Sequence, residues 1–287
     1  MTTSSTLTEA NPGTAVLRLG TRASALARTQ SQGVADAITA ATGAPVELVH
    51  ITTEGDRSQA AIAQLGGTGV FVTALRDALV ARDGLTLGEL PPGSTVGTGA
   101  PRRVAQLRAL GLGLEVVPIR GNVDTRLGRV AGSATGPGDL DAVVLARAGL
   151  SRLGRLDVIT ETLDPLQVLP APAQGALAVE CRTSDARTRE LLGRLEDSRA
   201  RACALAERST LATLEAGCSA PVAAYAEVAE GEDGPELFLR ASVTAIDGSD
   251  GVRGSLTGPL ADAAALGRAL AADLLDRGAV ELMAASR

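Results

Sequence analysis

Residues 94–107 have the sequence STVGTGAPRRVAQL, in which a short strand-forming run leads through a glycine turn into a helix with proline near its first turn. The same alternation continues along the chain. Glu115–Ile119 is predicted as a strand, Val123–Val130 as a helix, Asp141–Ala146 as a buried strand and Ala148–Leu153 as a short helix. Strands that alternate with helices predict an α/β fold with a mostly parallel sheet.

The residues before this region show a similar pattern. Ala15–Leu19 and Val46–Thr52 are predicted as strands, and Ala25–Thr42 between them as a helix that ends at a glycine. The sequence VFVTALRDALV, residues 70–80, follows a glycine-rich turn and is predicted as a second helix. The Gly- and Pro-rich residues 83–94 then predict a domain boundary.

The last third of the chain has a different pattern. Ala176–Cys181 is predicted as a strand that returns to the first unit. Beyond it, a helix over Ala202–Glu215 is followed by three strands and a final helix over Asp262–Arg277, with the strands near Val222–Ala229, Leu237–Ile246 and Val252–Thr257. This order predicts a small C-terminal α+β domain.

Composition excludes several classes of function. The formal net charge of the 287 residues is −6 and aromatic residues make up 1%, which disfavours a nucleic-acid-binding protein. All 27 basic residues are arginines, so a Schiff-base lysine is excluded. No apolar run approaches the roughly 20 residues that span a membrane, so no membrane partner is expected.

The few cysteines and the single histidine bear on metal binding and location. Three cysteines without a CxxC pair, and His50 as the only histidine, favour neither a disulfide framework nor a metal site. Residues 1–14 are polar and lack the apolar stretch of a signal peptide, and we expect them to form a disordered tail. These features predict a cytoplasmic protein.

Several arginines follow predicted strands, which is where open α/β sheets bind ligands. Because guanidinium groups bind carboxylates and phosphates through paired hydrogen bonds, these arginines predict an anion-binding cleft suited to a polycarboxylate. The alternative is that arginine is simply the common surface cation of this chain. The residues concerned are Arg22, Arg102, Arg103, Arg120, Arg126 and Arg152.

One cysteine lies in a setting typical of a reactive thiol. Cys218, in the sequence LEAGCSAPV of residues 214–222, has small neighbours and lies on a predicted loop, so it is a candidate nucleophile or attachment point. Cys181 and Cys203 lie in predicted elements and are expected to be structural. The glycine motifs GGTGV and GTGAP do not have the spacing of nucleotide-binding loops.

Together these stretches resemble the hydroxymethylbilane synthase family, also called porphobilinogen deaminase. The resemblance runs from about Leu17 to the final helix. It rests on LRLGTRASALARTQ, GTGVFVTALRDAL, VGTGAPRRVAQL, IRGNVDTRL, LARAGLSRLG, LPAPAQGALAVECR and LEAGCSAPVAAYA, in the order of the family.

The resemblance implies a transferase of tetrapyrrole biosynthesis that condenses four porphobilinogen molecules head to tail, with release of ammonia, into hydroxymethylbilane. It implies a dipyrromethane cofactor attached to Cys218 through a thioether, porphobilinogen and polypyrrole intermediates as ligands, and a monomer. The six arginines match the family's cofactor- and substrate-binding arginines, and neighbouring polar contacts match Ser24, Thr98, Gln174 and Gly175.

The resemblance also implies a domain organisation. Two α/β domains like those of periplasmic binding proteins, with a cleft between them, are expected over residues 15–92 with 176–196 and over residues 93–175. The small α+β domain that carries the cofactor loop is expected over residues 197–287.

The chain departs from the family at one place. The family's His-Ser-x-Lys-Asp-x-Pro motif, whose aspartate is the main catalytic carboxylate, is absent, which indicates an internal deletion near residues 80–84. Asp77 and Asp83 flank the junction without matching the motif, so no catalytic residue is assigned. The alternative function is a non-catalytic, two-lobed polycarboxylate-binding protein, and a covalent adduct on Cys218 would distinguish the enzyme from it.

Overall fold

The computed structural model describes residues 16–51, 76–217, 220–231 and 234–284. The chain divides into two compact units, one over residues 1–57 and 179–196 and the other over residues 58–178 and 197–287. Among the described residues, no helix is both long and apolar enough to cross a membrane.

The first unit contains a parallel pair of strands, β1 (Leu17–Thr21) and β2 (Val46–His50), and two helices, α1 (Ala25–Thr42) and α5 (Ala186–Gly193). Helix α1 begins at Ser24, whose side chain accepts a hydrogen bond from the backbone N–H of Ala27. It ends at Gly43, whose φ of 71° is accessible to glycine at little cost.

The second unit contains a five-stranded sheet with the order β5-β4-β6-β3-β7. Strand β4 is parallel to β5 and β6, whereas β3 is antiparallel to β6 and β7. The strands are β3 (Asp77–Ala81), β4 (Thr95–Thr98), β5 (Glu115–Pro118), β6 (Ala142–Ala146) and β7 (Glu161–Thr162), and the helices between them are α2 (Pro101–Ala109), α3 (Val123–Leu127) and α4 (Arg147–Arg152).

Both faces of this sheet are buried. Leu79 and Val144 belong to one apolar cluster, and their strand neighbours Val80 and Val143 belong to another. Side chains alternate between the faces of a strand, so these central strands are apolar almost throughout.

The C-terminal part of the second unit is an antiparallel sheet with the order β10-β9-β8, covered by helices. Its strands are β8 (Val222–Gly231), β9 (Gly234–Thr244) and β10 (Gly251–Pro259), and its helices are α6 (Ser198–Thr213), α7 (Ala263–Asp276) and α8 (Ala279–Ala284). Helix α7 approaches α6 closely at Gly267, where a β-carbon would collide with the carbonyl oxygen of Ala206. The predicted α/β architecture with a C-terminal α+β part is therefore confirmed.

Two sequence-based assignments were wrong. The helix predicted over residues 70–80 is wrong at its C-terminal end, because Asp77–Ala81 forms strand β3; residues 70–75 lie outside the described part. All five residues of β3 are buried, and a short apolar run of this kind fits a buried strand as well as a helix. Ala176–Cys181, predicted as a strand, has no regular secondary structure.

Residues 83–94, predicted as a domain boundary, join β3 to β4 within one sheet. The predicted division into three domains otherwise stays a prediction. Residues 1–14, predicted to be disordered, lie outside the described part.

Candidate anion-binding site

The carboxyl ends of β4, β5 and β6 lie at one edge of the five-stranded sheet because these strands are parallel. Strand β3 runs in the opposite direction, and Asp77 at its start is paired with Ala146 at the end of β6. The loops and helices that begin at this edge carry most of the predicted site residues of the second unit, namely Thr98, Arg102, Arg103, Arg120, Arg126 and Arg152.

The central feature of this edge is a buried group of one carboxylate and two guanidiniums. Oδ1 of Asp77 accepts a hydrogen bond from Nη2 of Arg103 at 2.5 Å, and Oδ2 accepts from Nη1 of Arg102 at 3.3 Å. Asp77, Arg102 and Arg103 are 3%, 4% and 5% exposed, respectively. One negative charge thus faces two positive charges away from water.

The charges of this group depend on one another. Burial would raise the pKa of the Asp77 carboxyl, but Arg103 and then Arg102 lower it, with a net decrease below its usual value. Burial lowers the pKa of Arg102 to about 10 although Asp77 opposes the shift. Both results follow because burial disfavours the charged forms and an opposite charge favours them.

A second pair of guanidiniums lies close to this group. Burial lowers the pKa of Arg126, and the charges of Arg103 and Arg120 lower it further. Nε of Arg126 donates to the carbonyl oxygen of Gly121 at 2.9 Å. A β-carbon at Gly99 would lie 3.0 Å from the carbonyl oxygen of Ile119 and 3.4 Å from both Nη atoms of Arg126, so the guanidinium lies against the end of β4.

Several buried polar atoms at this edge have no partner among the described residues. They include Oγ1 of Thr98, Nε of Arg103 and Nη1 of Arg152. A buried donor without an acceptor costs free energy, and an anionic ligand can supply the acceptor. Neighbouring guanidiniums that keep single unpaired N–H groups fit a ligand with several carboxylates, such as dipyrromethane with its acetate and propionate groups.

The loop of residues 169–175 is joined to α2 at the same edge. The side chain of Gln106 makes two hydrogen bonds to the backbone of Leu169. Its Nε2 donates to the carbonyl oxygen at 3.0 Å, and its Oε1 accepts from the N–H at 2.8 Å. Arg102 donates to the same carbonyl oxygen and, at 3.5 Å, to Oε1 of Gln174. Two predicted site residues, Arg102 and Gln174, therefore contact each other, and the adjacent Gly175 is exposed.

The other predicted residues lie in different parts of the chain. Arg22 and Ser24 belong to the first unit, where the Ser24 hydroxyl caps α1. Arg152 follows β6, but none of the contacts described above joins it to another predicted residue. Cys218, the predicted cofactor attachment point, lies outside the described residues.

Three residues of this region were missed from the sequence. Asp77 lies directly before an apolar run, and nothing in its spacing along the chain shows that it faces two guanidiniums. Gln106 is 1% exposed and Glu207 is 2% exposed. Glu207 is an acid at helical spacing from Cys203 and Thr210 on the inner side of α6, a signal that could have revealed it.

The described residues contain no cluster of three or more His, Cys, Asp or Glu side chains suited to a metal ion. The second unit is an α/β body whose sheet edge carries a buried group of guanidiniums. Comparison with protein families assigns the chain more closely: it belongs to the porphobilinogen deaminase family. The model of the "porphobilinogen deaminase, dipyromethane cofactor binding domain" matches residues 17–84 and 74–190, and that of the C-terminal domain matches residues 201–276.

Similar curated proteins carry the same name. The porphobilinogen deaminase of Mycobacterium avium is 54% identical over 315 residues, which covers 95% of this chain and 98% of that protein. The one from Mycobacterium tuberculosis H37Rv is 54% identical over 311 residues, covering 93% and 98%. A solved YaeC-family lipoprotein of Enterococcus faecalis is 13% identical, with a TM-score of 0.37 over 63% of this chain and 91% of its own.

Two of these comparisons bear on the predicted internal deletion. The alignment with the Mycobacterium avium protein spans 315 residues, whereas this chain has 287, so that protein has residues without a counterpart here. The two matches of the cofactor-domain model overlap at residues 74–84. This overlap includes residues 80–84, near which the sequence predicts the deletion, and Asp77–Ala81, which forms β3.

Proposed function

We propose that this chain is a hydroxymethylbilane synthase, a transferase that joins four porphobilinogen molecules head to tail. In each condensation, the bond between the aminomethyl carbon and nitrogen of porphobilinogen breaks and ammonia leaves. That carbon then bonds to the free α-carbon of the preceding pyrrole, which loses its proton. Water would finally cleave the bond between the tetrapyrrole and the dipyrromethane cofactor, with its hydroxyl group going to the released methylene carbon and its proton to the free α-carbon of the cofactor.

The observation that carries the proposal is the group of guanidiniums at the sheet edge, in a chain that belongs to the porphobilinogen deaminase family. Every pyrrole of the substrate and product bears an acetate and a propionate, so the growing chain gains two negative charges per unit. Arg103 and Arg120 lie close enough to Arg126 for their positive charges to lower its pKa. A bound polyanion would offset this repulsion between guanidiniums.

Each predicted site residue has a proposed role. The arginines bind carboxylates, each charged hydrogen bond contributing about 1.5–3 kcal/mol. The Thr98 hydroxyl and the Gln174 amide orient the pyrroles, and the Gly175 and Ser24 positions complete the polar contacts. These proposed binding residues are Arg22, Ser24, Thr98, Arg102, Arg103, Arg120, Arg126, Arg152, Gln174 and Gly175.

We further propose that Cys218 holds the dipyrromethane cofactor through a thioether. The cofactor supplies the pyrrole primer on which the product is assembled. The sequence around Cys218, with glycine, serine and proline as neighbours, leaves room for such an attachment. A cytoplasmic monomer is proposed on the same family resemblance.

One observation favours a second candidate, a polycarboxylate-binding protein without turnover. The chain lacks the family's His-Ser-x-Lys-Asp-x-Pro motif; its only histidine is His50, which is followed by isoleucine. Loss of one preorganised electrostatic group can reduce a rate by about 10²–10³-fold. The similarity to named porphobilinogen deaminases does not favour this candidate.

The intact mass of the purified chain, measured before and after addition of porphobilinogen, tests both functions. A synthase carries an adduct of two pyrrole units and acquires further units stepwise. An adduct without further units means that the chain loads the cofactor but does not elongate it. An unmodified mass under both conditions contradicts the synthase, whereas a protein that binds polycarboxylates without a covalent cofactor needs no adduct.

Two cysteine variants serve as controls for this measurement. Cys218→Ser is expected to abolish the adduct. Cys203→Ser is expected to retain it, because burial raises the pKa of the Cys203 thiol to about 11 and keeps it protonated. An adduct that survives in Cys218→Ser would disprove the attachment point.

A further inference from the structure

A buried carboxylate in the C-terminal part of the second unit contacts the loop that reaches the anion-binding edge. Glu207 on α6 accepts a hydrogen bond from the backbone N–H of Ala173 at 2.5 Å through Oε2. Its other oxygen accepts from the backbone N–H of Ala226 on β8 at 2.6 Å. One side chain therefore ties the loop of residues 169–175 to the C-terminal sheet.

The loop needs such support because its backbone is strained at the point of contact. Ala173 has a φ of 59°, in the left-handed region that residues other than glycine rarely adopt. Strained residues of this kind persist only where surrounding contacts hold them. The flanking residues Pro170 and Pro172 have no N–H to donate, so Ala173 offers one of the few backbone donors of this segment.

The residue after Ala173 is the one that reaches the guanidiniums. Oε1 of Gln174 accepts from Ala171 N at 3.3 Å and from Nη2 of Arg102 at 3.5 Å. A shift of the Ala173 backbone would thus displace the Gln174 amide from Arg102. The carbonyl oxygen of Pro170 also accepts from Ala224 N, a second tie that does not involve Glu207.

We propose that Glu207 is a positioning residue: its carboxylate fixes the backbone of Ala173 and so places the Gln174 amide against Arg102, where the substrate carboxylates bind. The expected effect of Glu207 on substrate binding rests on the proposed function, whereas its expected effect on the loop does not. Glu207 itself touches no substrate in this proposal.

The first test measures the loop directly and needs no activity. In Glu207→Gln one of the two backbone donors loses its acceptor, and we expect the amides of Ala173 and Gln174 to exchange hydrogen about tenfold faster. Strand β9 should keep its protection. Unchanged exchange at Ala173 and Gln174 would overturn the proposal whatever the chain does with porphobilinogen.

A control on the same helix separates positioning from general damage. The buried Thr210 hydroxyl donates to the carbonyl oxygens of Ala206 and Gly267, at 3.1 and 3.2 Å, and does not contact the loop. Thr210→Val is expected to speed exchange in α6 and α7 and to leave the 169–175 loop unchanged. Equal loosening of the loop by both variants would overturn the proposal.

The second test uses porphobilinogen itself. We expect Glu207→Gln to raise KM several-fold with a smaller change in kcat, and Thr210→Val to leave KM unchanged. In a Gln174→Ala background, Glu207→Gln should have little further effect on KM. Additive effects would overturn the link through Gln174. If the wild-type chain neither binds nor converts porphobilinogen, the proposed function fails, and the exchange measurement still decides whether Glu207 positions the loop.

Discussion

The carboxylate of Asp77 lies 2.5 Å from Nη2 of Arg103, and both side chains are almost completely buried. The other carboxylate oxygen of Asp77 contacts Arg102, so a single negative charge compensates two guanidiniums that the sequence assigns to ligand binding. Asp77 therefore makes it possible for a group of arginines to gather at one sheet edge before any anionic ligand is present.

We expect Asp77→Asn to destabilise the chain by about 3–5 kcal/mol, because it leaves two buried guanidiniums without a counter-charge. Urea denaturation monitored by circular dichroism measures this loss. Asp83→Asn is the control, since the Asp83 side chain is 73% exposed and lies 3.8 Å from Arg82. A loss below 1 kcal/mol in Asp77→Asn would show that the buried group is not held by its ion pairs.

The pH dependence of the same variant follows from the pKa of Asp77. Its folded-state pKa lies below the unfolded value of about 3.9, so its charge stabilises the fold above that value, and the contribution is lost as the pH falls through the folded-state pKa. The difference in urea midpoint between wild type and Asp77→Asn should be largest near neutral pH and shrink below about pH 4. A difference that stays constant down to pH 3 would contradict this linkage.

Much of the second unit could be predicted from the sequence, because alternating patterns with glycine and proline at helix ends specify local structure directly. The segment 115–118 and the helix that follows the RGN sequence were found in this way, as were the three C-terminal strands. Strand β3 was not, since its residues are apolar on both faces and lie beside a junction where the family pattern is interrupted. Asp77 and Glu207 were missed as partners because a buried ion pair or backbone contact depends on tertiary packing, which spacing along the chain does not encode.

Helix α2 begins without a side-chain cap, and this offers a stabilising substitution. Ala100 occupies the N-cap position with φ −116° and ψ 123° and makes no capping hydrogen bond. Serine at this position can accept from the first free N–H groups of the helix, and Ala100→Ser should stabilise the chain by about 1 kcal/mol.

Ala109→Ser, the same substitution at the exposed C-terminal end of α2, is the matched control and should be neutral or slightly destabilising. Urea midpoints of the two variants measure the contrast. If both variants change stability equally, the missing cap at Ala100 is not the cause.

The role of Arg126 in anion binding can be separated from that of nearby Arg129. Among the described residues, the side chain of Arg126 makes one hydrogen bond, to the carbonyl oxygen of Gly121. Arg129, in contrast, forms a salt bridge with Asp139. Arg126→Gln should weaken cofactor loading or porphobilinogen binding by about 10–100-fold, the loss of one charged hydrogen bond or slightly more.

Arg129→Gln should leave loading unchanged, because this guanidinium already has its own carboxylate. Intact mass after graded additions of porphobilinogen measures loading for both variants. Equal loading of Arg126→Gln and wild type would remove Arg126 from the proposed site.

Glu207 should give the chain a pH dependence of the opposite sign to that of Asp77. Burial raises the pKa of Glu207 to about 7, although the N–H groups of Ala226 and Ala173 oppose the shift. Cys203 and Glu227 are titratable groups of the same region. The charges of Glu207 and Glu227 both raise the pKa of the Cys203 thiol. That thiol stays protonated near neutral pH, so it does not titrate together with Glu207.

A raised folded-state pKa means that the contribution of Glu207 is fully present below about pH 4, the unfolded value, and is lost as the pH rises through about 7. The wild type should lose roughly 3 kcal/mol relative to Glu207→Gln across this range, which 2–3 units of pKa shift represent. Urea midpoints of both proteins at pH 5, 6, 7 and 8 measure this change. Above pH 7, Glu207→Gln should therefore be no less stable than the wild type even though its 169–175 loop exchanges faster. Parallel midpoints from pH 5 to 8 would mean that Glu207 is ionised throughout and that its two backbone donors outweigh its burial.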